Sequence, residues 1–148
     1  MKYVIGIDPD SRGVPCAIYE DGKLVILKVY SLIQLYLCVK NLLDEGHAVE
    51  FHVENLKAIS CSSFSWKRTD NQKVRAKKSE HVGMCKQSQT EVENLAKELG
   101  IKVVHYGVSR AWKSASYGKP QFRKLTNWKG RSNEDTRSAA YFGFLGCK

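Results

Sequence analysis

The sequence predicts an α/β fold with a five-stranded mixed sheet, in which three antiparallel strands precede parallel ones and helices flank the sheet. Two observations support this prediction. Three apolar, β-branched runs separated by turn residues open the chain, and helix-like segments alternate with strand-like runs after them. The chain has 148 residues, the size of one compact domain, and we expect residues 1–148 to form a single domain.

The first three strand-like runs predict an antiparallel meander. Residues 2–8 are apolar and β-branched, and this strand should stop at Pro9, which has no backbone N–H to donate. Residues 14–20 and 24–30 flank the pair Asp21-Gly22, a strong signal for a two-residue hairpin turn. Strands joined by such short turns pair antiparallel.

A helix and a fourth strand follow the meander. Residues 32–43 are apolar nearly all round, with Ser31 as a candidate N-cap and Gly46 as the end, so we expect a helix buried on more than one side. Residues 49–54 then predict a fourth strand. A strand-helix-strand unit of this size implies parallel pairing through a right-handed crossover.

The second half of the chain predicts more helices and one more strand. We interpret the basic residues 57–81 as a mobile loop because they lack a clear period, with a fragment of helix within it as the alternative. The remaining predictions are a helix from Glu80 to Leu99 ended by Gly100, a fifth strand over residues 101–106, a short helix capped by Ser109 that holds Trp112 and Lys113, and a last helix capped by Asn133.

The net charge of +9 is unevenly distributed along the chain. Residues 1–54 hold five basic and eight acidic residues, whereas the remaining residues hold 19 basic and seven acidic ones. This distribution is typical of proteins that bind a polyanion, so we expect a nucleic-acid partner. A soluble basic protein without such a partner is the alternative.

Hydropathy and cysteine usage exclude other classes of protein. No apolar run approaches the ~18 residues of a membrane span, and residues 1–30 carry acids where a signal peptide would be apolar. The five cysteines form no Cys-x-x-Cys pair, and no histidine stands at zinc-finger spacing from them. We expect a cytoplasmic protein with buried or free thiols rather than a disulfide framework or a structural zinc site.

Two acidic residues end strands that should lie side by side. Asp8 ends the first strand and Glu54 ends the fourth, and ligands of open α/β sheets bind beyond such carboxyl ends. Neighbouring carboxylates repel unless a cation or proton lies between them, and oxygen ligands suit Mg²⁺ or Mn²⁺. Two ions about 4 Å apart could clamp the attacking and leaving oxygens of a phosphodiester. The alternative is structural: Asp8 opens an Asp-Pro turn and Glu54 pairs with a lysine.

Four short segments resemble motifs of the RuvC-type Holliday-junction resolvases, which belong to the RNase H-like superfamily. The likeness is to the phage- or virus-like members, and the segments follow one another in the family's order. They read IGIDPDS at residues 5–11, HVEN at 52–55, SRAWK at 109–113 and NEDTRSAA at 133–140. In that family the first two segments end strands one and four with an acid, and the last begins a helix that supplies the remaining metal-binding acids. The likeness covers nearly the whole chain.

The resemblance implies a Mg²⁺-dependent endonuclease that acts as a homodimer on four-way DNA junctions in the cytoplasm of a bacterium or a virus-infected cell. It implies two ions per active site, with Mn²⁺ as a substitute. The implied metal ligands are Asp8, Glu54 and Asp135, with Glu134 as a weaker candidate. Lys113 would stabilise the developing oxyanion at the scissile phosphate, or, as the alternative, contact a phosphate away from the chemistry.

The sequence departs from the family pattern at two positions. Asp10 stands where the turn after strand one usually carries glycine, so either Asp10 adopts the left-handed conformation or Gly13 takes the strain. Ser138 stands where the family commonly has a catalytic aspartate, and Asp135 lies one helical turn away. Two alternative functions therefore stay open: a junction-binding protein with weak or no catalysis, and an RNase H-like nuclease for other branched or hybrid nucleic acids.

Basic and aromatic residues of two segments, 57–81 and 110–131, are the expected DNA-binding residues. Their lysines and arginines would contact phosphates, and their rings would stack on unpaired bases at the crossover, with core packing as the alternative for each ring. The candidates are Lys67, Arg68, Lys73, Arg75, Lys77, Lys78, Phe64, Trp66, Arg110, Lys129 and Arg131, and Trp112 is a further candidate ring.

Overall fold

A computed structural model describes residues 1–58 and 66–148, which form five strands and four helices. The strands are β1 Lys2–Ile7, β2 Val14–Glu20, β3 Lys23–Tyr30, β4 Ala48–Glu54 and β5 Lys102–Tyr106. The helices are α1 Leu32–Asp44, α2 Gln72–Leu99, α3 Gly118–Thr126 and α4 Glu134–Gly146. None of these helices is long and apolar enough to cross a membrane.

The sheet has the strand order β3-β2-β1-β4-β5. β2 pairs antiparallel with both β1 and β3, and β4 pairs parallel with both β1 and β5. The predicted five-stranded mixed sheet is therefore confirmed. Ile7 lies opposite Val53 in the parallel pair, so Asp8 and Glu54, the next residues of their strands, reach the same edge of the sheet.

Two apolar clusters cover the two faces of the sheet because side chains alternate along each strand. On one face, Ile5 and Phe51 pack with residues of α1 and α2 such as Leu35 and Val92. On the other face, Val4 and its neighbours pack with residues of α3 and α4, including Phe122 and Ala139.

Helix α4 lies unusually close to β1. A Cβ atom on Gly6 would stand 2.0 Å from the Ala139 carbonyl oxygen and 2.5 Å from the Gly143 backbone nitrogen. A Cβ atom on Gly143 would stand 2.6 Å from the Tyr19 ring. Small residues on both elements let the backbones approach, and this brings the first turns of α4 to the end of β1 that carries Asp8.

The turn after β1 uses Gly13 for its unusual backbone conformation. Gly13 has a φ of 149°, whereas Asp10 does not have a positive φ. A side chain at Gly13 would collide with Val29, 2.7 Å away. Of the two predicted solutions for this turn, the one that uses Gly13 is confirmed.

Three local predictions are wrong, and one helix was missed. Helix α2 begins at Gln72, capped by the Asn71 side chain, so residues 72–81 are helical and not part of a loop. Trp112 and Lys113 lie in turns and not in a helix capped by Ser109. Helix α3 was not predicted. Helix α1 buries mainly one side, because Ile33 and Leu37 on its other side are 72% and 59% exposed.

Candidate active site and nucleic-acid interface

The carboxylates of Asp8 and Glu54 are buried at the carboxyl ends of β1 and β4. Their exposed fractions are 5% and 3%. The Asp8 backbone N–H donates to the Pro15 carbonyl at 3.2 Å, which fixes the chain at this edge. One oxygen of each carboxylate, Asp8 Oδ2 and Glu54 Oε2, has no hydrogen-bond partner among the described residues. Buried acids without partners are costly to a fold, which is typical of a site that binds something.

Lys113 places its ammonium beside these acids. Its Nζ lies 3.5 Å from Asp8 Oδ2 and 3.8 Å from Asp135 Oδ1. Burial alone would lower the pKa of Lys113, but the carboxylates of Asp8, Glu54 and Asp135 outweigh it and raise the pKa. Lys113 therefore stays charged and partly neutralises the acidic cluster.

Ser138 completes the cluster from the second turn of α4. It is 1% exposed, and its Oγ has no hydrogen-bond partner among the described residues. It lies close enough to Asp8 for its hydroxyl to lower the pKa of that carboxyl. A buried hydroxyl beside the Asp8 carboxylate stands at the position where the resemblance expects an acid.

Burial governs the titration of the two strand-end acids. It raises the pKa of Asp8 to about 6, although the Lys113 ammonium and the Ser138 hydroxyl act in the opposite direction. Burial, and then repulsion from Asp8, raises the pKa of Glu54 to about 8. The pair is thus primed to share a proton or a cation.

The donor set fits a divalent cation at Asp8 and Glu54, since Mg²⁺ prefers oxygen ligands and each residue has a buried carboxylate oxygen without a hydrogen bond among the described residues. Asp135 faces the same ammonium but does not complete a three-ligand group. In residues 1–58 and 66–148, the only three acidic, histidine or cysteine residues with ligand atoms all within 4.8 Å of one another are Asp10, His81 and Cys85. The arrangement thus offers Asp8 and Glu54 as ligands, with Ser138 buried beside Asp8 and Asp135 at the rim.

Glu134 lies at the start of α4 on the solvent side. Its side chain is exposed, whereas that of Asp135 is half-buried. Asp135 Oδ1 lies 3.8 Å from the Lys113 ammonium that faces Asp8, and burial and the Asp10 carboxylate raise the pKa of Asp135. Asp135 is therefore the better candidate of the two.

Arg137 is a residue of the site that the sequence analysis missed. It is 4% exposed, and it donates to the carbonyl oxygens of Trp112 at 2.9 Å and Lys113 at 2.6 Å. It also donates to Ser132 Oγ at 3.1 Å. A basic residue in a basic segment gave no signal that it would be buried; only its place on the inner side of α4, next to Ser138, could have indicated it.

The candidate phosphate-binding residues lie mostly on the surface. Arg75 and Lys78 are half-buried, and Lys78 pairs with Asp70 at 2.7 Å. The exposed ones are Lys67, Arg68, Lys73, Lys77, Arg110, Lys129 and Arg131. Lys119 and Arg123 of α3, which the sequence analysis did not single out, line one pocket with Lys129 and Arg131.

The candidate aromatic rings differ in their surroundings. Trp66 is 40% exposed, stacks with the Arg75 guanidinium at 5.2 Å and donates to Ser79 Oγ. Trp112 is 3% exposed and packs against Phe122, so of its two predicted roles core packing is confirmed and base stacking is wrong. Phe64 lies outside the described residues.

Comparisons with known proteins relate the chain to two solved structures. No family model and no curated protein matches the sequence. The structure is similar to RuvC of Thermus thermophilus in complex with a Holliday junction substrate, with a TM-score of 0.55 and 17% identity, covering 98% of this chain and 96% of that one. A second Thermus thermophilus RuvC structure gives a TM-score of 0.55 and 16% identity, covering 98% and 93%. These likenesses show that the chain has the RNase H-like fold found in RuvC.

Proposed function

We propose that this protein is a structure-selective endonuclease that resolves four-way DNA junctions by Mg²⁺-dependent phosphodiester hydrolysis. One observation carries the proposal: on a RuvC-like fold, Asp8 and Glu54 present buried carboxylate oxygens without hydrogen bonds at one edge of the sheet, next to the Lys113 ammonium. The net charge of +9 and the exposed basic residues supply the attraction for DNA.

Each residue of the cluster has a distinct role in this proposal. Asp8 and Glu54 hold the divalent cation, Mg²⁺ or Mn²⁺, and Asp135 assists from the rim. When bound, the metal activates a water and stabilises charge on the phosphate oxygens. Lys113 holds a phosphate oxygen as a point charge. Ser138 supplies a hydroxyl in place of a carboxylate, so we expect slower cleavage than a full set of acids would give.

A homodimer would provide the two active sites that paired incisions need. The exposed apolar residues of α1 are the candidate dimer surface. Ile33 and Leu37 are 72% and 59% exposed, and exposed apolar patches mark protein interfaces. Light scattering should give the mass of a dimer, and Leu37→Glu should shift it to that of a monomer.

Cleavage of a synthetic four-way junction in Mg²⁺ tests the nuclease. Asp8→Asn and Glu54→Gln should each abolish cutting and leave junction binding within a few-fold, because both remove a metal ligand and no phosphate contact. Lys23→Gln, on the far hairpin, is the control and should leave both unchanged. Cleavage of an RNA–DNA hybrid without junction cleavage would instead assign the protein to the general RNase H-like nucleases.

A junction-binding protein without catalysis is the second candidate, and Ser138 together with Lys113 favours it. An ammonium beside Asp8 and Asp135 already neutralises acids that a second metal ion would need. Tight junction binding by the unaltered protein, with no cleavage in either Mg²⁺ or Mn²⁺, would establish this function.

A further inference from the structure

Asp10, His81 and Cys85 bring three different metal-ligand atoms together outside the pair of strand-end acids. Asp10 lies in the turn after β1, and His81 and Cys85 lie one helical turn apart on α2. Cys85 Sγ is 3.7 Å from His81 Nε2 and 3.9 Å from Asp10 Oδ1. One ligand atom from each residue lies within 4.8 Å of the other two.

We propose that Asp10, His81 and Cys85 bind a zinc ion. Zinc bonds to sulfur, nitrogen and oxygen at about 2.0–2.3 Å, so the ligands of a tetrahedral ion stand roughly 3.3–3.8 Å apart. The two distances from Cys85 Sγ need to shorten by a few tenths of an ångström at most, and the Asp10 and His81 ligand atoms, which lie within 4.8 Å of each other, need to reach the same spacing. A thiolate and an imidazole favour zinc over Mg²⁺ or Ca²⁺, which prefer oxygen ligands.

Ser11 holds two of the ligands in place. Its Oγ lies 3.2 Å from His81 Nδ1, which leaves Nε2 for the metal, and its backbone N–H donates to Asp10 Oδ1 at 2.8 Å. Such outer contacts fix the orientation of ligands in metal sites. A hydrogen-bonded histidine with its second nitrogen turned towards a thiol is the arrangement a zinc site requires.

The site has a protein side and a solvent side. Cys85 is 7% exposed, whereas the His81 side chain is exposed. Three protein ligands leave the fourth position of a tetrahedral ion for water from the solvent side. On binding, the Cys85 thiol gives its proton to the solvent and its sulfur electron pair forms the bond to zinc. No oxidation or reduction is involved.

Zinc here would join two elements that the chain separates by about 70 residues. Asp10 follows Asp8 by two residues, and His81 and Cys85 lie near the middle of α2. The ion would fasten the basic first half of α2 to the turn beside the acidic cluster. Zinc-finger spacing could not reveal such a site because its ligands come from two distant segments.

Metal titration of the intact protein tests the proposal. Zn²⁺ and Co²⁺ are added in the presence of excess Mg²⁺, which occupies oxygen-only sites. We expect one equivalent of Zn²⁺ to bind, and Co²⁺ to show thiolate-to-metal charge-transfer absorption. Cys85→Ala should abolish that absorption, and His81→Ala and Asp10→Asn should weaken binding by more than about tenfold.

Matched controls separate this site from the others. Cys38→Ala and His105→Ala remove a half-buried cysteine and an exposed histidine elsewhere. Both variants should keep the zinc affinity and the Co²⁺ absorption of the unaltered protein. Asp8→Asn should keep zinc binding, because the strand-end acids are not ligands. Absence of the thiolate absorption, or unchanged affinity in His81→Ala, whose exposed side chain is not needed for folding, overturns the proposal. So does loss of zinc binding in Asp8→Asn. The zinc test measures metal binding and not junction cleavage. Its result therefore stands even if the protein proves not to be a nuclease.

Discussion

Arg137 Nε donates a 2.9 Å hydrogen bond to the backbone carbonyl of Trp112, whose φ of 66° is rare for a bulky residue. The same guanidinium holds the carbonyl of Lys113, the residue whose ammonium faces Asp8. Gly118 backs this turn, because a Cβ there would stand 2.3 Å from the Trp112 backbone. Arg137, which is buried, thus holds a strained turn in place. This turn positions Lys113.

Arg137→Lys should reduce junction cleavage by about tenfold or more and leave junction binding nearly unchanged. A lysine keeps the charge but cannot reach two carbonyls and Ser132 with one fixed fork of donors. The stability loss should be about 1.5–3 kcal/mol, the range for hydrogen bonds from a charged group. Single-turnover cleavage and chemical denaturation measure the two effects. Arg131→Lys, at an exposed position, is the control; equal loss in both variants would contradict a positioning role.

The free energy of unfolding of the metal-free protein should fall as the pH rises from about 4 to about 8. Burial raises the folded-state pKa of Asp8 to about 6 and that of Glu54 to about 8. The folded state therefore holds protons that the unfolded state has released, and ionising the pair costs on the order of a few kcal/mol at the upper end.

Chemical denaturation across this pH range measures the slope. Glu54→Gln should remove most of it, and Mg²⁺ should flatten it by neutralising the carboxylates. Glu98→Gln, an exposed acid at the end of α2, should leave the slope unchanged. A metal-free protein whose stability rises steadily with pH over this window would contradict the electrostatic account.

Ser138→Asp should increase Mg²⁺-dependent cleavage by at least about tenfold, since it adds a carboxylate next to Asp8. Without metal, the same change should destabilise the protein, because a further acid is buried without a partner. Cleavage rates and melting temperatures with and without Mg²⁺ measure both effects. Ser138→Asn adds similar volume without charge and should gain no activity. Equal behaviour of the two variants would show that position 138 is not a metal-ligand position.

Gly6→Ala should destabilise the protein by about 1–3 kcal/mol or more, because the new methyl group collides with the backbone of α4. Gly83→Ala is the matched control. Gly83 lies on α2 with nothing within 4 Å of its virtual Cβ, so alanine there should stabilise by up to about 1 kcal/mol. Thermal denaturation distinguishes them, and a neutral Gly6→Ala would show that α4 can move away from β1.

Replacing Lys73 and Lys77 by glutamine should weaken junction binding and make it less dependent on salt. Each lost phosphate contact lowers the slope of log affinity against log salt by about 1. Lys23→Gln together with Lys40→Gln removes the same charge far from α2 and should change the slope much less. Binding isotherms at several salt concentrations give these slopes, and identical slopes for both double variants would exclude α2 from the DNA surface.

The sheet and the strand-end acids could be predicted because both depend on local pattern. Apolar runs, the Asp21-Gly22 turn and the Asn133 cap specify the strands and the last helix, and parallel pairing then brings Asp8 and Glu54 together. The start of α2 was missed because its first turns are basic and lack apolar periodicity, although Asn71 is a good cap. Helix α3 begins at Gly118 without a side-chain cap, so no local signal marks it.

The remaining site residues depend on packing between distant segments. Arg137 is buried only because the turn holding Trp112 folds over α4. The contacts of Asp10 with His81 and Cys85 require helix α2 to begin early enough to pass the turn after β1. Neither arrangement could be predicted from the spacing of residues along the chain.

Helix α2 has 28 residues, which makes it about 42 Å long, and Cys85 lies roughly 20 Å from its first turn. If α2 tilts about Cys85, the basic half of the helix, which holds Lys73 and Lys77, moves with its far end travelling furthest. A tilt of about 10° about Cys85 would carry Lys73, about 18 Å away, sideways by about 3 Å and Lys77, about 12 Å away, by about 2 Å. In the proposed complex with DNA, a tilt of this size would move Lys73 by nearly the ~3.4 Å that separates neighbouring nucleotides of one strand.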